Sequence, residues 1–503
     1  MTTDRTSENL TPLFTNPLDD DHLREECGVF GIYGTDDAAA HTVLGLHALQ
    51  HRGQEASGIT TYDTKGGNGD FHTVRRAGHV ADNFSSQAVI DQLIGDAAIG
   101  HVRYSTTGET TMRNVQPLYA ELATGGFAVV HNGNLTNAWT LRQQLVQRGS
   151  IFQSTSDTEV IIHLIASSSY GALMDRFVDA LRRIEGAYSL ITLTTGGMVG
   201  ARDPLGVRPL ILGKSSEGAY ILASETCALD IIGADYVRDI EPGEIVTINK
   251  DGLSSIKPFP AQSPKPCIFE HVYFSRPDSY VDHMNIYEVR KRIGAELARE
   301  SKQEADIVVP VPDSGTPAAI GYAQQAGIPF ELGIIRNHYV GRTFIEPADH
   351  IRHLGVKLKH NANRWQIQGK RVVLVDDSIV RGTTSVKIVD MMRAAGAAEV
   401  HMRIASPPTG HSCFYGVNTP TRDKLLAAQM SIEEMCKYIG ADSLDFLTID
   451  GLYRACGYKT RDKKCAQFCD ACFTGDYPTV LTDQNDQEFH HQLSIVELKK
   501  DAL

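Results

Sequence analysis

The stretch 371-RVVLVDDSIVRGTTS-385 decides the fold. A continuous apolar run ends in Asp376-Asp377, and Arg381-Gly382-Thr383-Thr384-Ser385 then opens the next segment. An apolar run without alternation, bounded by turn residues, reads as a strand buried on both faces. Next, 384-TSVKIVDMMRAAG-396 reads as a helix and 399-EVHMRIAS-406 as a second strand. Strand, helix, strand is a βαβ unit, which predicts a parallel sheet covered by helices. In such sheets ligands bind beyond the carboxyl ends of the strands. A small-residue loop opening a helix offers backbone N–H groups and a positive dipole end to a phosphate. Two carboxylates at the strand end can hold ribose hydroxyls, or a Mg²⁺ that also touches pyrophosphate. One aspartate there is an ordinary helix N-cap. An adjacent pair followed by Arg-Gly-Thr-Thr is poorly explained that way.

Upstream, strand-like 306-DIVVPVP-312 runs into Pro-Asp-Ser-Gly-Thr and a second helical pattern, within 310-PVPDSGTPAAIGYA-323. Ser314 and Gly315 there offer a hydroxyl and a close backbone approach to pyrophosphate or its Mg²⁺. The segment 339-YVGRTFIEP-347, with its basic continuation through Lys359, reads as a flap in which Arg342 faces phosphate. Taken alone, the first is a turn and the second a solvated loop. This half resembles the type I phosphoribosyltransferases, whose 5-phosphoribosyl 1-pyrophosphate (PRPP) motif matches Asp376, Asp377, Arg381, Gly382, Thr383, Thr384 and Ser385.

The chain has 503 residues, which suggests about three domains or two large ones. A net charge of -13 argues against a nucleic-acid partner. No apolar run approaches the ~20 residues that span a bilayer. The N-terminal residues lack the basic and apolar regions of a secretory signal, so a cytoplasmic location is expected. The four prolines of 257-KPFPAQSPKPC-267 mark the best boundary. The expected division is a leader at 1–26, one domain at 27–258 and a second at 259–503.

Before the boundary, short β-rich runs dominate, among them 126-GFAVV-130 and 188-YSLITL-193. In 138-AWTLRQQLVQRG-149, Leu141, Leu145 and Val146 are expected on one helix face, with Gly149 as the stop. The stretch 22-HLREECGVFGIYG-34 places Cys27 between an acidic leader and an apolar run. A lone cysteine there is most often a core residue. Three further elements change that reading. In 99-IGHVRYSTTG-108, Arg103 and Ser105 sit at a strand end; in 129-VVHNGNLTN-137, Asn132-Gly133-Asn134 sit in a turn; in 155-TSDTEVIIHLI-165, Asp157 opens a helix. Arginine takes an α-carboxylate bidentately, a carboxylate takes an α-ammonium, and Asn and Gly N–H groups form an oxyanion hole.

With 47-HALQHRGQEASGI-59 and 220-YILASETCALD-230, these residues resemble the N-terminal-nucleophile glutamine amidotransferases. The resemblance implies an αββα sandwich in this α+β half. It also implies that Cys27 becomes the first residue, its thiol attacking the glutamine amide and its free α-amine serving as base. The leader then resembles a propeptide cleaved at Glu26–Cys27, with self-cleavage by the Cys27 thiol as one route.

Together the halves, an α/β enzyme overall, resemble the glutamine PRPP amidotransferase (amidophosphoribosyltransferase) family across residues 27–480, in its iron–sulfur, propeptide-bearing branch. The family implies glutamine and PRPP as substrates, 5-phosphoribosylamine as product at the entry to purine synthesis, purine nucleotide feedback inhibitors and a homotetramer. It also implies a [4Fe–4S] cluster on Cys267, Cys413, Cys469 and Cys472. Nine cysteines, an odd number without a secretory signal, argue against a disulfide framework, and 465-CAQFCDAC-472 concentrates three of them. Soft thiolates suit iron–sulfur or zinc alike. Cys465 can replace Cys469 on spacing, while Cys227, Cys436 and Cys456 read as core or surface thiols. A hexosamine-forming amidotransferase would share the first half but has no use for Val-Asp-Asp-Ser-Ile-Val-Arg-Gly-Thr-Thr. A non-catalytic PRPP sensor would not need Cys27, Arg103, Asn132 and Asp157 together.

Overall fold

The computed structural model describes residues 27–65, 70–103, 112–337 and 360–484, with the backbone of Arg24–Glu25. The rest of the leader, Ser105, the flap with Arg342, and the chain after 484 lie outside the described residues.

The strand Gly186–Thr194 shows why the first half is a sandwich. All nine of its residues are buried. Ile191 and Leu193 point into a core shared with Val29, Ile99 and Val130, while Tyr188 and Leu190 pack on the helices that bear Leu141, Val160 and Phe177. A strand covered on both faces reads as an unbroken apolar run, because each parity of its side chains meets a different layer. The described residues thus build a seven-stranded antiparallel sheet facing a six-stranded one. The helix Ala38–Ala48 lies on the outer face of the first sheet, and the helices Ala138–Gln147, Thr158–Ser167 and Leu173–Leu181 on that of the second. This is the αββα arrangement.

Two local expectations are corrected. The strand Gly125–Leu135 does not end before Asn132; it carries Asn132-Gly133-Asn134 along, paired with Ser189, Tyr188 and Ala187. Gly133, at φ +143°, permits this, since a Cβ there would lie 2.1 Å from the Ala187 carbonyl oxygen. In the helix Ala138–Gln147, Leu141 and Leu145 are buried but Val146 is 50% exposed. Position 146 lies 100° round the helix from Leu145, enough to leave a narrow apolar face.

After the proline-rich connection, Ile307–Pro310, Arg371–Asp376, Glu399–Ile404 and Ser443–Phe446 form a parallel sheet. Val373 and Val375 face the helices Ile286–Glu300 and Thr316–Ala326; Val372 and Leu374 face the helices Thr383–Ala394 and Ile432–Ile439. Each of these four strand residues is fully buried, a contribution of about 1.5–3 kcal/mol apiece. Among the described residues no helix is long and apolar enough to cross a membrane.

Candidate active sites and cysteine centre

Cys27 opens the strand Cys27–Tyr33, and its Cα partner across the ladder is Arg103, the last residue of Ala97–Arg103. Their approach needs small neighbours. A Cβ on Gly28 would lie 2.9 Å from Val102, and one on Gly53 would lie 2.5 Å from the Arg103 nitrogen. The Arg103 guanidinium donates to the carbonyl of Asn114. Asn114 Nδ2 donates to Thr155 Oγ1 at 2.7 Å, and its Oδ1 accepts from the Thr155 N–H at 2.9 Å. One asparagine thereby ties the arginine to the loop preceding Asp157. No pattern in 112-MRNVQP-117 announces that role.

Asp157 sits at the N-terminus of Thr158–Ser167 and accepts from the Leu135 N–H at 3.0 Å. Burial raises its pKa, but His131 and the N–H groups of Leu135 and Thr158 outweigh burial and hold the carboxyl below its ordinary range. Asn132 is fully buried on the strand that packs across the sandwich from the Cys27 strand. The fold therefore brings the strands of Cys27, Arg103 and Asn132-Gly133 and the helix start at Asp157 to one end of the sandwich.

In the second half, Asp376 ends the inner parallel strand Arg371–Asp376 and Asp377 follows it directly, both at most 2% exposed. The Asp377 N–H donates to Asp376 Oδ1 at 3.0 Å, and Ser378 Oγ donates to Asp377 Oδ2 at 2.6 Å. The loop reaches the helix Thr383–Ala394 through Gly382 at φ +79°, where a Cβ would lie 2.6 Å from Leu426. Arg381 and Thr383 are exposed, Thr384 is half-buried and Ser385 is buried. The Ser314 turn abuts the same strand end, since the Val311 N–H donates to Val375 O at 2.9 Å and a Cβ on Gly315 would lie 2.4 Å from that oxygen. Two loops at the carboxyl ends of adjacent parallel strands thus lie side by side.

Four cysteines from three distant segments meet between the halves. Cys267 and Cys469 face each other in a parallel bridge, with the Ile268 N–H donating to Cys469 O at 3.1 Å. The Gly410 and His411 N–H groups donate to Cys472 O at 3.1 Å, which brings the Cys413 loop alongside. Burial pushes the Cys267 thiol up to about 12 and those of Cys469 and Cys472 well above the ordinary thiol value, and the mutual proximity of the group adds to the rise. Cys465 is exposed, so Cys469 is the member that joins Cys267. None of the nine cysteines is in a disulfide. Among the described residues no three Cys, His, Asp or Glu side chains converge on a single metal ion. Cys413's loop also touches the first half: Asn134 Nδ2 donates to Phe414 O at 3.0 Å, and Gly416 lies against Gly133.

Beneath this contact lies a buried charge network invisible in the sequence. Arg52 Nε donates to Glu225 Oε1, and Arg52 Nη2 donates to Glu270 Oε2 at 2.8 Å. Arg208 Nη1 reaches Glu270 Oε1 at 3.2 Å, and Arg208 Nε reaches Tyr415 O at 2.8 Å. All four charged side chains are at most 1% exposed.

A glutamine amidotransferase domain model matches residues 101–230, and a phosphoribosyl transferase domain model matches 277–405. The chain is 58% identical to the amidophosphoribosyltransferase of Rhizobium etli, over 96% of this chain and 97% of the relative. It is 49% identical to that of Bacillus subtilis, over 91% and 95%. A solved structure described as the allosteric regulatory enzyme of purine biosynthesis superposes with TM-score 0.86 at 48% identity, covering 90% of this chain and 97% of that one. The glutamine PRPP amidotransferase of B. subtilis complexed with ADP and GMP gives 0.85 at 48%, covering 90% and 98%. Similarity at this level runs through the Cys27 half and the Asp376 half alike, and the chain belongs to the amidophosphoribosyltransferase family.

Proposed function

We infer that this enzyme moves the amide nitrogen of glutamine to C1 of PRPP, giving 5-phosphoribosylamine, glutamate and pyrophosphate, and that the residues singled out above carry the two half-reactions. The observation that carries the residue roles is the pairing of Cys27 with Arg103 at one site while Asp376-Asp377 close a parallel strand at the other. We read residues 27–258 as the glutaminase domain and 259–503 as the phosphoribosyltransferase domain.

At the first site Arg103 takes the α-carboxylate of glutamine and Asp157 its α-ammonium. Cys27 Sγ attacks the side-chain amide carbon, and the thiol proton passes to the Cys27 α-amine, whose ordinary pKa of ~8 suits that transfer. That amine exists only once the leader is removed at Glu26–Cys27. The Asn132 side chain and the Gly133 N–H hold the tetrahedral oxyanion. Collapse returns the proton to the departing nitrogen, and water then releases glutamate from the thioester. Ammonia passes internally to the second site and attacks C1 of PRPP as the C1–O bond to pyrophosphate breaks.

The loop from Arg381 to Ser385 cradles a phosphate of PRPP, Ser314 approaches the pyrophosphate, and Asp376 and Asp377 hold the ribose hydroxyls or the metal; Arg342, outside the described residues, is proposed as a further phosphate contact. Bound Mg²⁺ would take up leaving-group charge. Asp376 and Asp377, an adjacent buried aspartate pair, would hold it together with Ser314, since Mg²⁺ is bound through one or two carboxylates plus substrate phosphates.

The four gathered thiols fit a [4Fe–4S] cluster. Cys267, Cys413, Cys469 and Cys472 would hold such a cluster as its four thiolate ligands. The cluster's charge would stabilise the thiolates that burial disfavours. We further propose a cytoplasmic homotetramer regulated by purine nucleotides; the complex of the B. subtilis relative with ADP and GMP supports the regulation.

Assays with each nitrogen source test the assignment. Cys27→Ala is expected to abolish glutamine-dependent turnover and to keep turnover with concentrated ammonium salts at alkaline pH. Loss of both in a folded variant overturns the two-site roles.

A further inference from the structure

Two histidines that the mechanism does not use lie behind the glutaminase site. The strand Gly125–Leu135 pairs with Leu118–Leu122 only as far as Val129 opposite Leu118. Two residues on, at His131, the peptide groups on that edge have outrun their neighbour, and buried peptide groups need replacements. Gln116 Oε1 accepts the His131 N–H at 2.7 Å, and His101 Nε2 meets the His131 carbonyl at 3.2 Å. A carbonyl only accepts, so His101 carries its proton on Nε2. Burial, with the Arg103 charge next in weight, presses the His101 pKa down to about 3, so the ring is neutral at working pH.

His101 belongs to the other sheet. It lies opposite Val29 on the ladder that pairs Cys27 with Arg103, and it shares the inward face of Ala97 and Ile99. Its hydrogen bond therefore crosses the sandwich from the nucleophile's sheet to the strand of Asn132-Gly133. The His131 ring continues the line on the far face of its strand. Nδ1 lies 3.2 Å from Thr158 Oγ1 and 3.7 Å from Asp157 Oδ2, and Gln116 Nε2 donates to the same hydroxyl at 3.0 Å. His101, Gln116, His131 and Thr158 are each at most 4% exposed.

We propose that His101 and His131 are positioning residues of the glutaminase: a brace through the sandwich that sets the Asn132–Gly133 oxyanion donors, and the Asp157 carboxylate, against the strand that bears Cys27. This deepens the proposed function and rests on Cys27 being the nucleophile.

The test compares His101→Leu, His101→Gln and His131→Phe in the full-length enzyme, with glutamine and with ammonium as nitrogen source. His101→Leu removes the bond to the peptide before Asn132. It is expected to lower the glutamine kcat on the order of 10–100-fold, the loss that follows a displaced catalytic group, with the glutamine KM and the ammonium-dependent rate unchanged. His101→Gln keeps an N–H donor and restores most of the kcat. His131→Phe instead raises the glutamine KM, because it frees Asp157. Full glutamine turnover in His101→Leu, or equal loss in His101→Leu and His101→Gln, overturns the brace. Should His101→Leu fail to fold, Gln116→Met removes the acceptor for the N–H of the same residue, His131. It is expected to lose glutamine turnover selectively, and wild-type turnover there overturns the proposal. Glutamine turnover surviving Cys27→Ala would instead sink the nucleophile assignment.

Discussion

Arg52→Met is the substitution whose cost the structure specifies most fully. The guanidinium is wholly buried and shared by two buried carboxylates, those of Glu225 and Glu270. Glu270 keeps Arg208, while Glu225 keeps His51, whose Nε2 lies 2.7 Å away, and the Ser279 hydroxyl at 2.6 Å. Removing one member of a buried ion network leaves an uncompensated charge and costs about 3–5 kcal/mol. At ~2–4 °C per kcal/mol for a domain of this size, the melting temperature at pH 7.5 should fall about 6–20 °C. The pH dependence gives the sign. Burial is the largest single influence and raises both carboxyl pKa values, but Arg52, together with Arg208 on Glu270 and with His51 and Ser279 on Glu225, outweighs it; Glu270 stands at about 2 and Glu225 well below the usual range. In the wild type this stabilisation is complete above the ordinary glutamate pKa of ~4.3 and is lost as pH falls through the depressed values. Without Arg52 the Glu225 pKa moves up toward the value burial favours, so protonation begins to relieve the defect as pH falls. Calorimetric melts should therefore show a smaller gap between variant and wild type at pH 5 than at pH 7.5. Adding Glu225→Gln to Arg52→Met should close part of the gap at pH 7.5. A shift below ~2 °C, or one equal at both pH values, refutes the reasoning.

Asp376→Asn and Asp377→Asn should cripple turnover with glutamine and with ammonium alike, because both need bound PRPP; near-normal ammonium-dependent rates in the two variants would remove the aspartates from that role. Gly133→Ala puts a Cβ 2.1 Å from the Ala187 carbonyl oxygen, and the displaced oxyanion donor should cost glutamine turnover on the order of 10²–10³-fold. Ammonium-dependent turnover, measured in parallel, should persist. Cys469→Ser should prevent accumulation of soluble brown protein whereas Cys465→Ser should not, and zinc without iron in anaerobically purified enzyme would refute the cluster. N-terminal sequencing of active enzyme should begin Cys27-Gly28-Val29; full activity with residues still attached before Cys27 rules out its α-amine as base.

The sequence by itself determined the features whose cause is local. The run 372–375 is apolar at every position because its two faces meet different helix layers, and the strand Arg371–Asp376 contains those residues. Asp157 at a helix start and Arg103 at a strand end were legible because terminus and turn chemistry depends on adjacent residues. The Asn132-Gly133 turn was misjudged for the complementary reason. Whether a strand continues through glycine depends on its ladder partner, here Tyr188, more than fifty residues away in sequence. Only the tertiary structure brought Cys267 to Cys469, separated Cys465 from them, and set Arg52 between Glu225 and Glu270. A thiol or guanidinium carries no periodicity, so nothing local encodes its partner. The pairing follows from which strands and helices bury one another's apolar faces, a condition met only once the whole chain is folded.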